Sequence, residues 1–217
     1  MSQALEMLRA RIRELEGGPA GDRERLASGV ASFDALTGGL PRPGMVEITG
    51  PPGSGCTALA LSMLAQQQDG VRSMWVDVQG TIYPPAARAL GVDLDRLILL
   101  RPAATSAVWA VEQVVRSGCF PIVVASGVDQ VGLAGSRWAH ACQQGACTLL
   151  ILADRPTRAL PADVRLSMRQ GRVAVGRNRG ADTGAVGRYA VPEPLTRDLR
   201  AATPWLTEEE ASWRPCA

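Results

Sequence analysis

Four apolar residues, Leu5, Leu8, Ile12 and Leu15, recur at steps of three and four through residues 2–16. That spacing predicts a helix with one narrow apolar stripe. Gly17, Gly18 and Pro19 stop it, and a polar, linker-like stretch runs on to Arg25. The stripe has two uses that the sequence leaves open: packing on the chain's own core, or docking on another subunit or partner. From residue 45 the pattern changes. Short apolar runs at 45–49, 73–78, 97–100, 121–125 and 148–153 predict buried strands, while 57–67, 106–116 and 133–144 predict helices. Strands alternating with helices imply a mainly parallel sheet covered on both faces. Residues 164–168, 172–176 and 185–191 have no helix between them, so they predict antiparallel strands at the sheet's C-terminal edge. Beyond them the chain is rich in proline and polar groups. The expected organisation is an N-terminal helix and linker over 1–25, an α/β core over 26–191 and a tail over 192–217.

Composition narrows the function classes. With 217 residues and 46% hydrophobic content, one core of moderate size is expected. A net charge of +2 argues against strong nucleic-acid binding by charge alone. All 23 basic residues are arginine, a bias that fits a GC-rich genome and says little about function. The five cysteines lack Cys-x-x-Cys spacing and His140 is the only histidine, so neither a metal site nor a disulfide framework is expected. No stretch is apolar enough to span a membrane and no leader pattern opens the chain, which points to a cytoplasmic protein with reduced thiols.

Residues 50–57 read Gly-Pro-Pro-Gly-Ser-Gly-Cys-Thr. With Gly50, Gly53, Gly55 and Thr57 in place, this is a phosphate-binding loop whose lysine is replaced by Cys56. In such loops backbone N–H groups cradle the phosphates and the lysine reaches the terminal ones. A cysteine is short and uncharged, and no lysine exists elsewhere in the chain to replace it. The loop itself leaves two other uses open: a productive role for Cys56, or nucleotide binding without hydrolysis.

Upstream stand Ser28-Gly29, Phe33-Asp34, Gly38-Gly39-Leu40-Pro41 and Gly44-Met45-Val46-Glu47-Ile48. With the loop they resemble the opening of the RecA/RadA recombinase family. The resemblance continues in order through Asp77-Val78-Gln79, residues 87–93, residues 122–126, residues 148–151, Val164-Arg165-Leu166 and Arg177-Asn178-Arg179. It covers roughly residues 26–180 and implies a RecA-like core. The departures matter most. Ala125 stands at the Walker B aspartate, and Gln79 at the glutamate that activates the attacking water. Tyr83 and Ala86 take places that contact the base. Phosphoryl transfer needs charge neutralisation and a positioned nucleophile, so the resemblance implies a pseudo-ATPase with a vestigial loop, no catalytic residues and no cofactor.

The segments that bind DNA in recombinases are short here, over 127–132 and 155–163. Arg155 and Arg158 have two readings, a weak phosphate contact or a solvated basic loop. Arg177 and Arg179 hold places from which the family reaches a neighbour's ATP; the alternative is a pair of solvated edge arginines. In the tail, Trp205 and Trp213 flank Thr207-Glu208-Glu209-Glu210, a capping-box start for a short helix. Such a helix docks on a partner or folds back on its own domain.

A compact RecA-like chain with eroded nucleotide motifs resembles the ImuA family, the RecA-like accessory of bacterial translesion mutagenesis. That resemblance implies an SOS-induced interaction subunit. Its expected partners are RecA, an ImuB-like Y-family adaptor and an error-prone C-family polymerase, with self-association possible through the N-terminal stripe and DNA contact weak or indirect. Two alternatives stand beside it: an atypical ATP-binding, recombinase-like ATPase, and a SulA-like division inhibitor.

Overall fold

The computed structural model describes residues 24–67, 70–128, 134–157, 160–169, 171–179 and 184–189. The predicted helix over 2–16 and the tail over 192–217 lie outside these residues. In chain order the elements are β1 (Glu24–Leu26), α1 (Ala31–Thr37), β2 (Leu40–Arg42), β3 (Gly44–Thr49), α2 (Cys56–Gln67), β4 (Ser73–Asp77), α3 (Pro84–Ala89) and β5 (Leu97–Leu100). A 3-10 turn at Ala104–Ser106 leads into α4 (Ala107–Arg116), followed by β6 (Ile122–Ser126), α5 (Ala134–Gly145), β7 (Thr148–Ala153), β8 (Val164–Arg169), β9 (Arg172–Asn178) and β10 (Val186–Arg188).

Every residue of β3, β4 and β6 is buried. Strands buried on both faces belong in the middle of a parallel sheet. The eight-stranded sheet runs β10-β9-β8-β3-β7-β6-β4-β5. Strands β8, β3, β7, β6, β4 and β5 pair in parallel, and β9 and β10 extend the edge antiparallel. This is the predicted α/β architecture, antiparallel C-terminal edge included.

The pleat sorts side chains into two apolar layers. Trp75, Ile122 and Val124 pack with Phe33 of α1, Leu59 and Leu64 of α2 and Ala87 of α3. Their neighbours Met74, Val76, Val123 and Ala125 pack on the other face with Val111 and Val115 of α4 and Trp138 and Cys142 of α5. Ile48 and Leu150 lie in the first layer, Leu149 and Ile151 in the second.

Local patterning misses three features: α1, seven residues long and without a side-chain cap at Val30, the six-residue α3, and the antiparallel pairing of β1 with β2. Among the described residues β1 already includes Glu24 and Arg25, which the sequence pattern assigns to the linker. Arg25 is no linker residue: its guanidinium donates to the carbonyls of Thr37, Gly39 and Arg179 and to Asn178 Oδ1.

Candidate functional site

The carboxyl ends of parallel strands are where ligands sit in open α/β sheets. Here the Gly-rich loop leaves β3 at that end and enters α2. Gly53 and Gly55 take φ values of 80° and 97°, which only glycine adopts without strain. Gly50 donates its N–H to Ala153 O at 3.1 Å. A Cβ on Gly50 would lie 2.5 Å from both Met168 O and Ser54 Oγ. The backbone of the phosphate-binding loop is thus retained.

The loop forms one wall of a cleft of about 330 Å³ whose other walls are Gln79, Thr81, Ser126, Gly127 and residues 152–154. Gln79 and Thr57, both exposed, line it as expected. Gly127, at φ 72°, lets Gln79 lie against the backbone; a Cβ there would meet Gln79 Cγ at 2.6 Å. Ala125 does not line the cleft. It lies in the second apolar layer, and the next residue, Ser126, supplies the wall.

Cys56 is half-buried, its Sγ 3.2 Å from Ser54 Oγ. Burial pushes its thiol pKa up, the charge of Asp154 adds to that rise, and hydrogen bonds with Ser54 and its own backbone oppose it. The thiol therefore stays neutral at pH 7. Asp154 carries the one charged side chain among the cleft's described lining residues, and that charge is negative. The cradle remains, but none of the described lining side chains is a cation, and the charge of Asp154 acts on the thiol that stands in the lysine's place.

The expectations missed Asp77, which holds the rim. Its buried carboxylate accepts the N–H groups of Thr81 and Ile82, both at 3.0 Å, and sits 3.6 Å from Arg101 Nε. That fixes the turn carrying Gln79. Tyr83 is exposed and Ala86 half-buried, and neither lines the cleft.

Arg155 is exposed just after β7, and Arg158 lies outside the described residues. The segment before β8 is held from below. Glu47, fully buried on β3, accepts the Thr157 N–H at 2.7 Å and pairs with Arg165, whose Nη2 donates to the carbonyls of Thr157 and Leu160. Arg179 ion-pairs with buried Asp163 at 3.6 Å and donates its N–H to Asp163 O. Arg177, half-exposed at the other end of the sheet from β5, has no ion-pair partner among the described residues. Neither arginine reaches this chain's own cleft. Leu5, Leu8, Ile12, Leu15, Trp205 and Trp213 lie outside the described residues. Among the described residues no helix is long and apolar enough to cross a membrane, and no His, Cys, Asp or Glu cluster suits a metal ion.

The chain is 43% identical over 108 residues to "Protein RecA" of Nostoc punctiforme, a match that covers 48% of this chain and 30% of that protein. It is 38% identical over 109 residues to "Protein RecA" of Clostridium acetobutylicum, covering 48% of this chain and 31% of that one. The chain thus spans less than a third of the length of these curated relatives. Among solved structures, the RadB recombinase superposes with a TM-score of 0.63 at 19% identity, covering 78% of this chain and 97% of that one. That likeness is one of fold. The RecA N-terminal domain family matches residues 5–134, and by that match the chain belongs to it.

Proposed function

We propose that this chain is a catalytically silent RecA-fold subunit that works through protein contacts in damage-induced translesion synthesis and mutagenesis. The observation that carries the first half is the charge of the cleft. A retained phosphate cradle meets a neutral Cys56 thiol and the Asp154 carboxylate, with no cation among the cleft's described lining residues. Charge neutralisation is the main service a phosphoryl-transfer site performs, and the side chains here offer none. The second half rests on the resemblance to the ImuA family. Its partners would be RecA itself, an ImuB-like adaptor or an error-prone C-family polymerase.

The test is ATP turnover by RecA on single-stranded DNA, with and without this protein. The chain alone should release no phosphate above background. A concentration-dependent change in RecA's rate is expected, because a silent relative can join or cap a filament without contributing turnover. An unchanged rate would move the main contact to the polymerase adaptor. Mg-ATP hydrolysis by the isolated chain would overturn the reading.

A further inference from the structure

We infer that the outer face of α4 and α5 is a docking surface for an acidic peptide segment of a partner protein, anchored by a large apolar side chain. Trp109 is the most exposed large apolar residue among the described residues, at 63%. It stands on the solvent side of α4, opposite Val111 and Val115, which are fully buried. Arg116 follows on the same face two turns later. From α5, Arg137 reaches the seam between the helices. The two guanidiniums are held in place by Glu112, buried in that seam. Arg116 Nη2 donates to its Oε1 at 2.6 Å, and Arg137 Nε lies 3.2 Å from its Oε2. Arg116 Nε also donates to Gln144 Oε1 at 2.9 Å.

Glu112 is therefore spent on fixing the arginines and offers little negative charge to a ligand. Each guanidinium keeps further N–H donors, and the two side chains are 41% and 58% exposed. An ordered arginine binds a carboxylate at lower entropic cost than a free one, and in a bidentate fork. Tryptophan beside arginine is the composition of interface hot spots. Charge complementarity selects the occupant. A second copy of the same face would set arginine against arginine across a twofold axis, which is repulsive. A nucleic-acid strand needs a track of cations along its phosphates. Here two arginines share one carboxylate. A carboxylate-bearing peptide with one apolar anchor matches both the charge and the tryptophan.

This surface deepens the reading of the chain as an interaction subunit and rests on it. The experiment titrates the full chain into a fluorescein-labelled, glutamate-rich peptide carrying a Leu-Phe anchor, followed by anisotropy at low and high salt. Wild type should bind, more weakly in high salt. Trp109→Ala and Arg137→Ala should each weaken binding about tenfold or more. Gln113→Glu, which adds a carboxylate one turn from Trp109, should do the same, with unfolding temperatures confirming that each variant folds. Absence of binding, or binding that the three variants leave unchanged, overturns the proposal. So does tighter binding of oligothymidylate that is lost in the same variants, because the face would then take nucleic acid. Mg-ATP binding and turnover are measured on the same samples. A silent chain without peptide binding sinks this surface alone, whereas turnover sinks the functional reading beneath it.

Discussion

At the scale of single residues, the uncharged Cys56 and the Asp154 carboxylate set the charge of the cleft. Replacing Cys56 by lysine supplies a cation, but Asp154 would hold part of it. The pair Cys56→Lys, Asp154→Asn supplies the cation and removes its competitor. A unit charge at about 5 Å is worth about 3 kcal/mol at an effective dielectric near 20. The double variant should therefore gain at least about tenfold in Mg-ATP affinity by calorimetric titration, and Cys56→Lys alone should gain less. Equal affinity in wild type and double variant would mean that shape, not charge, closes the site. Cys147 allows a second test. Burial raises its pKa from 9.0 to about 12. The unfolded chain then releases that proton first, so this group's contribution to stability is intact below about pH 9 and falls as pH rises toward about 12. Cys147→Ala should flatten the alkaline loss in denaturant melts by up to about 1.4 kcal/mol per pH unit. The phosphate loop itself was legible because a glycine-rich motif is local. That Ser126 and not Ala125 faces the cleft follows from the pleat of β6, whose phase is set by packing against both helical layers. Asp154 gave no motif signal at all, since it only follows the last residue of β7.

At the scale of elements, the long buried strands and the helices between them announced themselves by apolar runs, and β9 and β10 by the lack of helices between them. The elements that escaped are held by distant partners. Asp34 of α1 accepts the Ser28 N–H at 2.9 Å, and Phe33 buries its ring in the first layer. β1 is tied down by Arg25, whose acceptors include Asn178 and Arg179 on the far side of the sequence. A polar residue whose partners lie that far along the chain reads locally as linker. The pairing of Glu47 with Arg165 is another such long-range contact, and it joins β3, β8 and the segment between β7 and β8. Removing one member leaves a buried charge without its counterion, which typically costs about 3–5 kcal/mol. Arg165→Ala should therefore lower unfolding free energy by about 3 kcal/mol or more in urea melts and speed amide exchange at Thr157. Glu47→Leu with Arg165→Met, which removes both charges and keeps the volume, should lose clearly less. A double variant as unstable as Arg165→Ala would mean that the hydrogen bonds to Thr157 and Leu160 matter more than the charge balance.

At the scale of the whole molecule, fold and partner contact separate. Among the described residues the first apolar layer draws on Phe33 through Tyr189 and the second on Met45 through Ala162. β1 pairs antiparallel with β2, Glu24 lying opposite Arg42. A chain that starts at Glu24 should therefore keep its far-ultraviolet circular dichroism, and its unfolding temperature should shift by no more than a few degrees. Such a chain asks a question that the full-length protein cannot. If the stripe of Leu5, Leu8, Ile12 and Leu15 docks on a partner, the shortened chain loses its effect on RecA turnover while remaining folded. If the stripe packs on its own core, the shortened chain loses stability instead, beyond those few degrees. An effect on RecA that survives the truncation would assign the contact to the core or to the tail that carries Trp205 and Trp213; in the core, the Trp109 face and the half-exposed Arg177 are the candidates. Those two lie on different parts of the sheet assembly, one over α4 and the other on β9. Trp109→Ala and Arg177→Ala in the shortened chain would then divide the remaining effect between them. On the function proposed above, the fold works through its surfaces rather than through its cleft, and this series locates the surface in use.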